Sequence, residues 1–220
     1  MLLRLSETPE QVIFDTALEY LNAGKIIAYP TETFYGLGVT AGGAINGSDA
    51  LRRLWDLKRR PPDKPFPLIA ADITQLDGLV AEIEPEELAL MEKYWPGPLT
   101  ILFKAKPGLS PFIVSGQGRV AVRVPGHSAA LRLVKHVRFP ITATSANIAN
   151  EPPASEAQAV IDYFSGSIDM VIDGGKTKGA PASTIVEISD GRINVIRPGA
   201  VDLVNWPGLP VFYMNRGQGL

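Results

Sequence analysis

The 220-residue chain contains no cysteine and only two histidines, His127 and His136. Without cysteine there is no disulfide scaffold, no CxxC redox pair, no thiolate zinc site and no thiol nucleophile. Two histidines exclude a histidine-rich metal cluster. An excess of one charge sign is also missing. The 21 basic side chains stand against 23 acidic ones, for a formal net charge of −2, which gives the chain as a whole no electrostatic grip on nucleic acid. No apolar run approaches the roughly 18 residues of a membrane helix, and the N-terminal MLLRLSETPEQ turns polar too early for a signal peptide. These absences imply a soluble, cytoplasmic protein.

Glycine and proline, by contrast, are abundant. The 21 glycines and 19 prolines make up nearly a fifth of the chain, against an average of about 12%. They are spread along its length, so they signal many fixed bends rather than a disordered segment. Hydrophobic residues at 45% and charged residues at 20% are ordinary for a globular domain. The length suits one domain plus a short tail, and a chain this long buries enough surface to fold without staples.

Thr8-Pro9-Glu10-Gln11 predicts a helix start, with Thr8 as cap and Gln11 closing a capping box. Phe14, Ala17, Leu18 and Leu21 share one face, and Gly24 ends that helix. KIIAYP (25–30) reads as a buried strand, followed by a Gly-rich loop and a helix over 48–57 with Leu51, Leu54 and Trp55 inward. A basic, Pro-rich loop covers 58–67. Further strands are expected at 68–71, 99–105, 120–124, 141–145, 169–173, 184–189 and 193–197. Further helices are expected at 85–94, 128–137 and 155–164, the last capped by Ser155. Asp190-Gly191 is a two-residue hairpin turn. After Gly199 the pattern becomes irregular and ends in NRGQGL. Strands alternating with helices, then hairpins, predict one α/β domain with a mixed sheet.

Two phosphate-binding motifs fail on inspection. Gly174-Gly175-Lys176-Thr177 lacks the first glycine of a P-loop, because position 170 is Met. Gly36-Leu37-Gly38-Val39-Thr40-Ala41 matches GxGxxA, but six residues separate it from the preceding strand and more glycine follows at 42, 43 and 47, whereas the dinucleotide motif opens a helix directly. Segment 52–64 is more informative. Arg52, Arg53, Lys58, Arg59, Arg60 and Lys64 face only Asp56 and Asp63 there. Arg52, Arg53 and Arg59 read as a solvated helix face. Lys58, Arg60 and Lys64 sit on a loop stiffened by Pro61, Pro62 and Pro65, and stiff loops lose little entropy in holding one shape. Held cations suit polyphosphate, with Arg as a fork and Lys as a point charge. Arg123 before Pro125-Gly126, Thr144-Ser145-Ala146-Asn147, and Arg197 before Pro198-Gly199 repeat this style at strand ends, where open α/β sheets collect ligands. His127 reads as a helix-border residue and His136 as a surface residue.

PTETFYGLG (30–38), KRRPPDKP (58–65), WPGPLT (95–100), VAVRVPGH (120–127), TSANIANEPP (144–153), DGG (173–175), STIVEI (183–188) and RPG (197–199) occur in this order. This ordered set, over residues 10–199, resembles the YrdC-like family of threonylcarbamoyl-AMP synthases. The resemblance implies an α/β, YrdC-like fold: a twisted mixed β-sheet with flanking helices and a concave ligand cleft. It implies a catalytic unit over 8–199, a tail over 200–220, and the short, single-domain form. The implied reaction condenses L-threonine, bicarbonate and ATP, with Mg²⁺, to threonylcarbamoyl-AMP and pyrophosphate. The product would pass to a tRNA threonylcarbamoyl transferase complex for the adenosine at tRNA position 37.

By the same resemblance Lys58, Arg60, Ser145 and Asn147 form the catalytic nucleotide and phosphate set, with Arg197, Lys64 and Arg119 near ATP. Thr33, Arg123 and Ser183 would hold threonine, Arg123 through the carboxylate. Pro67 and Phe34 depart from the family pattern; Pro67 would shift the path after Lys64, and Phe34 would change little. Two other readings share these residues: an RNA-binding paralogue with the same basic face and no synthase activity, and a different ATP-using carbamoyl-transfer enzyme of the same superfamily. The synthase chemistry needs charge neutralisation and positioning more than a base, since a carbamate is already anionic.

Overall fold

The computed structural model describes residues 1–41, 49–61, 63–148, 151–164, 166–179 and 181–214. Gly42, Gly43, Gly47, the expected helix start at Ser48, Pro62 and the NRGQGL end lie outside the described residues. The elements run β1 (Leu2–Arg4), α1 (Glu10–Asn22), β2 (Ile27–Pro30), β3 (Tyr35–Gly38), α2 (Asp49–Lys58), β4 (Leu68–Ile69), α3 (Pro85–Tyr94), β5 (Leu99–Lys104) and β6 (Arg119–Arg123). They continue through α4 (Ala129–Val137), β7 (Ile141–Thr142), β8 (Thr144–Ser145), α5 (Ala157–Phe164), β9 (Met170–Asp173), β10 (Thr184–Ser189), β11 (Arg192–Arg197) and β12 (Val211–Tyr213).

The expected mixed α/β fold is present, with its strands divided between two sheets. One has the order β1-β9-β2-β3-β8 and the other β12-β11-β10-β5-β6-β4-β7. Both mix parallel and antiparallel pairs: β2 runs parallel to β9 but antiparallel to β3, and β5 runs parallel to β10 but antiparallel to β6. The predicted strand at 141–145 is two short strands, one in each sheet, with the chain crossing between them at Ala143. Thr142, fully buried, fastens the crossing. Its hydroxyl donates to the Leu37 carbonyl at 3.1 Å and accepts from the Val39 amide at 3.0 Å, while its carbonyl accepts from the Tyr29 hydroxyl at 2.7 Å.

The Gly-rich segment after Pro30 is not a loop throughout; Tyr35–Gly38 is strand β3. Glycine is a poor strand former, but here the buried Tyr29 ring lies across it. A Cβ on Gly38 would stand 2.8 Å from Tyr29 Cε1, so no larger residue fits beside that ring. Helix α1 also departs in detail. Pro9 occupies the N-cap and carries no side-chain acceptor, so no side chain caps the helix. The expected capping box is therefore absent. Gly24 ends α1 as expected, donating to the Leu21 carbonyl while Lys25 donates to that of Tyr20. Ser128 caps α4 through its side chain.

Helices α1 and α4 pack on the first sheet through Ile13, Phe14, Leu21, Leu133 and Val134, with Ile27, Met170 and Ile172 beneath them. A larger core gathers Leu37, Leu51, Leu54, Phe66, Ile101, Phe103 and Val160. Ordered pairing extends beyond 8–199 at both ends. Leu2–Arg4 adds a strand beside β9, and Val211–Tyr213 adds one beside β11, with Leu203 buried between. Among the described residues no helix is long and apolar enough to cross a membrane.

Candidate active site

A cavity of about 260 Å³ opens where the two sheets meet. Tyr35, Gly36 and Ser145 wall it from the first sheet; Leu68, Thr100, Arg123 and Ile185 wall it from the second. The loop after β2 closes one side. Its shape is set by Thr31, whose hydroxyl accepts from the amides of Thr33 and Phe34 and donates to the Phe34 carbonyl at 2.6 Å, a side-chain turn of the kind Ser and Thr support. That turn places the Thr33 hydroxyl 3.1 Å from the Thr31 hydroxyl, both on the cavity wall. Tyr35 closes the neighbouring corner, donating to the Gly175 carbonyl at 2.8 Å; the segment from Gly174 therefore serves as a wall brace, in keeping with the failed P-loop match.

Three guanidiniums line this cavity, from Arg60, Arg123 and Arg197. Arg60 lies over the Phe66 ring and donates to the Thr144 hydroxyl at 3.1 Å, to the Pro65 carbonyl at 2.9 Å and to the Lys64 carbonyl. Arg197 donates to the Ser183 carbonyl at 2.7 Å and to its hydroxyl at 3.1 Å. Arg123 is only 8% exposed and meets Glu32 Oε1 through Nη1 at 2.5 Å. Burial, then the charge of Arg197, pulls the Arg60 pKa down to about 10. Burial, then the charge of Arg123, lowers that of Arg197. Each cation thus feels the next, and among the described residues Glu32 is the only carboxylate in an ion pair with any of the three. The cavity is positively charged although the chain is not.

The structure brings Thr33, Arg60, Arg123, Ser145, Ser183 and Arg197 together around one cavity. Four other candidates stand elsewhere. Lys58 is buried behind the wall, and its ammonium donates to the Ser145 and Asn147 carbonyls and to Asn147 Oδ1. The Asn147 side chain is engaged locally, accepting from the Ser145 hydroxyl at 2.6 Å and donating to the Glu151 carbonyl. Lys64 is exposed and does not line the cavity. Arg119 lies at the far end of β6, about 13 Å from Arg123 at the strand rise per residue, and pairs with Glu187 at 2.7 Å.

Residues not nominated from the sequence also shape the wall. Thr100 shares a hydroxyl contact of 2.9 Å with Ser183; Thr144 anchors Arg60; Glu32 pairs with Arg123 across 91 residues of sequence. Each lies inside one of the quoted motifs, which was the available signal. Pro67 lines the cavity, and its carbonyl accepts from the Ala143 amide at 2.8 Å at the crossing between sheets. Phe34 lines it as well. Neither histidine does: His127 is exposed, and His136 contacts Asp15 at 2.8 Å between α4 and α1. Among the described residues no three His, Cys, Asp or Glu side chains converge on a metal position. The arrangement can bind and orient anions and offer hydroxyl donors to them, without a side-chain nucleophile activated by a base.

The Sua5–YciO–YrdC family model, described as telomere recombination, matches residues 19–199. A curated relative from Pyrococcus abyssi named threonylcarbamoyl-AMP synthase is 35% identical over 203 residues, covering 92% of this chain and 58% of that protein. One of the same name from Bacillus subtilis is 36% identical over 198 residues, covering 90% of this chain and 56% of that protein. The crystal structure of P. abyssi Sua5 complexed with L-threonine matches with a TM-score of 0.85 at 33% identity, covering 96% of this chain and 62% of that one. The chain thus spans less than two thirds of the length of these relatives.

Proposed function

The chain belongs to the Sua5–YciO–YrdC family, and from that footing we propose that it joins L-threonine, bicarbonate and Mg·ATP into threonylcarbamoyl-AMP, releasing pyrophosphate. The observation that carries the reading is the set of three guanidiniums lining one cavity, of which only Arg123 meets a carboxylate among the described residues. In the reaction the threonine amine and bicarbonate lose water and form a carbamate. A carbamate oxygen then attacks the α-phosphorus of ATP, and the bond to pyrophosphate breaks. Both reactants are anions, so the barrier lies in bringing like charges into line. Fixed cations and hydrogen-bond donors lower such a barrier without proton transfer.

Arg60 and Arg197 take the phosphate charge at the outer part of the cavity, with the Ser145 hydroxyl as a further donor. Arg123 takes the threonine carboxylate, and Thr33 and Ser183 border the amino acid. Lys58 works from behind the wall by fixing the backbone of Ser145 and Asn147. Mg²⁺ enters as part of the nucleotide substrate, on the phosphates. The product would serve threonylcarbamoylation of the adenosine at tRNA position 37 by a separate transferase complex. Pyrophosphate release measured with each substrate withheld in turn tests the assignment. Release that requires threonine and bicarbonate together supports it. ATP hydrolysis indifferent to both, or salt-dependent RNA binding without turnover, rejects it.

A further inference from the structure

One buried oxygen of the carboxylate paired with Arg123 is left without a partner. Glu32 Oε1 holds Arg123 Nη1 and lies 3.4 Å from the Gly126 amide, but Oε2 is buried and accepts no hydrogen bond. It is the only buried side-chain nitrogen or oxygen among the described residues in that condition. An unpaired buried carboxylate oxygen is costly, and where one persists it calls for an explanation. Its surroundings supply one. Arg123 lines the main cavity, Glu32 lines an adjoining cavity of about 300 Å³, and Thr31 lines both. The Glu32 carboxylate therefore sits in the partition, at the Arg123 end.

The charges are distributed unevenly along the main cavity. Among the described residues Arg60 and Arg197 donate only to neutral acceptors, so their end is positive and suits a polyanion. The Arg123 end carries one cation and one anion in contact, which suits a ligand with one of each. We propose that Glu32 is a specificity-determining residue for the amino-acid substrate: Arg123 receives the α-carboxylate while Glu32 Oε2 accepts an N–H from the α-amine. The terminal torsion of a glutamate is soft, so Oε2 reaches the ligand by a rotation that leaves the backbone in place. This inference rests on the proposed use of threonine and adds to it the group that reads the amine.

The test compares L-threonine with 3-hydroxybutanoate, the same molecule without its amine, by calorimetry on the full chain. Wild type is expected to bind threonine more tightly. A charged hydrogen bond lost from the site is expected to weaken threonine binding by Glu32→Gln on the order of 10- to 100-fold, with 3-hydroxybutanoate unchanged or tighter. Glu32→Asp, which keeps the charge but withdraws it, is expected to fall between, and it serves as the test variant if Glu32→Gln does not fold. Equal weakening of both ligands would make Glu32 merely a prop for Arg123 and overturn the proposal. Threonine binding unchanged or tightened by Glu32→Gln would overturn it too, making Glu32 a competitor for Arg123. Wild type that binds neither compound would instead contradict the parent reading of the site.

Discussion

The Arg197 guanidinium closes on Ser183, donating to its carbonyl at 2.7 Å and to its hydroxyl at 3.1 Å. The two residues stand at adjoining ends of β11 and β10, and Gly199 holds that junction tight. A Cβ at position 199 would lie 2.2 Å from the Ala182 carbonyl oxygen and 2.6 Å from the Thr184 nitrogen. Those are backbone atoms of the segment that carries Ser183 into β10. Gly199→Ala is expected to push the strands apart at a cost of about 1–3 kcal/mol, read as a lower urea midpoint, and to weaken ATP binding with it. Wild-type stability would contradict the packing described.

Arg197→Ala separates chemistry from folding. Among the described residues its side chain hydrogen-bonds only to Ser183, and it faces the cavity rather than the core, so thermal stability should hardly change. Loss of one donor at a charge-developing centre typically costs about 10²–10³ in turnover. Near-normal pyrophosphate release from the folded variant would remove Arg197 from the phosphate site.

Arg119 makes the converse case. Its guanidinium pairs with Glu187 outside the cavity, and partly exposed pairs contribute about 0–1 kcal/mol. Arg119→Ala should therefore leave the KM for ATP within about twofold of wild type, since the pair it breaks lies outside the cavity. A large rise in that KM would restore the residue to the nucleotide site.

Lys58 gives a signed pH dependence. Burial first, and the Arg60 charge second, pull its pKa from 10.5 down to about 7. Below about pH 7 both folded and unfolded chains hold the proton, and the fold bears the full cost of a buried ammonium. As pH rises from about 7 toward 10.5 the unfolded chain binds more protons than the folded one, so stability rises. Urea unfolding across that range should show wild type gaining on Lys58→Met as pH increases. A constant difference between the two would contradict the depressed value.

Glu87 titrates with the opposite sign. It is 2% exposed at the start of α3, accepts the Glu84 amide at 2.9 Å, and burial pushes its pKa from 4.5 up to about 7. The stability tied to its protonated form is complete below about pH 4.5 and lost as pH rises through about 7. Glu87→Gln keeps the acceptor and removes the titration. The variant should be more stable than wild type at pH 8, with the gap closing by pH 5. Equal gaps at both pH values would refute the shift.

Much of this architecture was legible where a local signal was strong. Helix α3 begins at Pro85 and stops before Trp95-Pro96, as its proline punctuation predicts, and Asp190 and Gly191 both take the positive φ that a two-residue hairpin turn needs. Strand β3 was not legible, because its glycines argue against a strand until the Tyr29 ring that covers them is known. Strand β12 was missed because its three residues owe their place to β11. In the site, six of the residues named from the motifs, Arg60, Arg123, Arg197, Thr33, Ser145 and Ser183, line one cavity. They did not reveal that Lys58 points inward to the 145–147 backbone, or that Arg119 and Arg123 occupy opposite ends of one strand. Motif membership names a loop; side-chain direction and the pairing of Glu32 with Arg123 arise only when distant segments meet.

The most direct test of the synthase reading follows three labels into one product. The folded chain is incubated with [α-³²P]ATP, ³H-labelled L-threonine and ¹⁴C-bicarbonate, and the nucleotide fraction is separated at once. The expected result is a single AMP-linked species carrying all three labels in equal amounts, matched by one equivalent of pyrophosphate. AMP or ADP formed without ¹⁴C and ³H in the same species would contradict it.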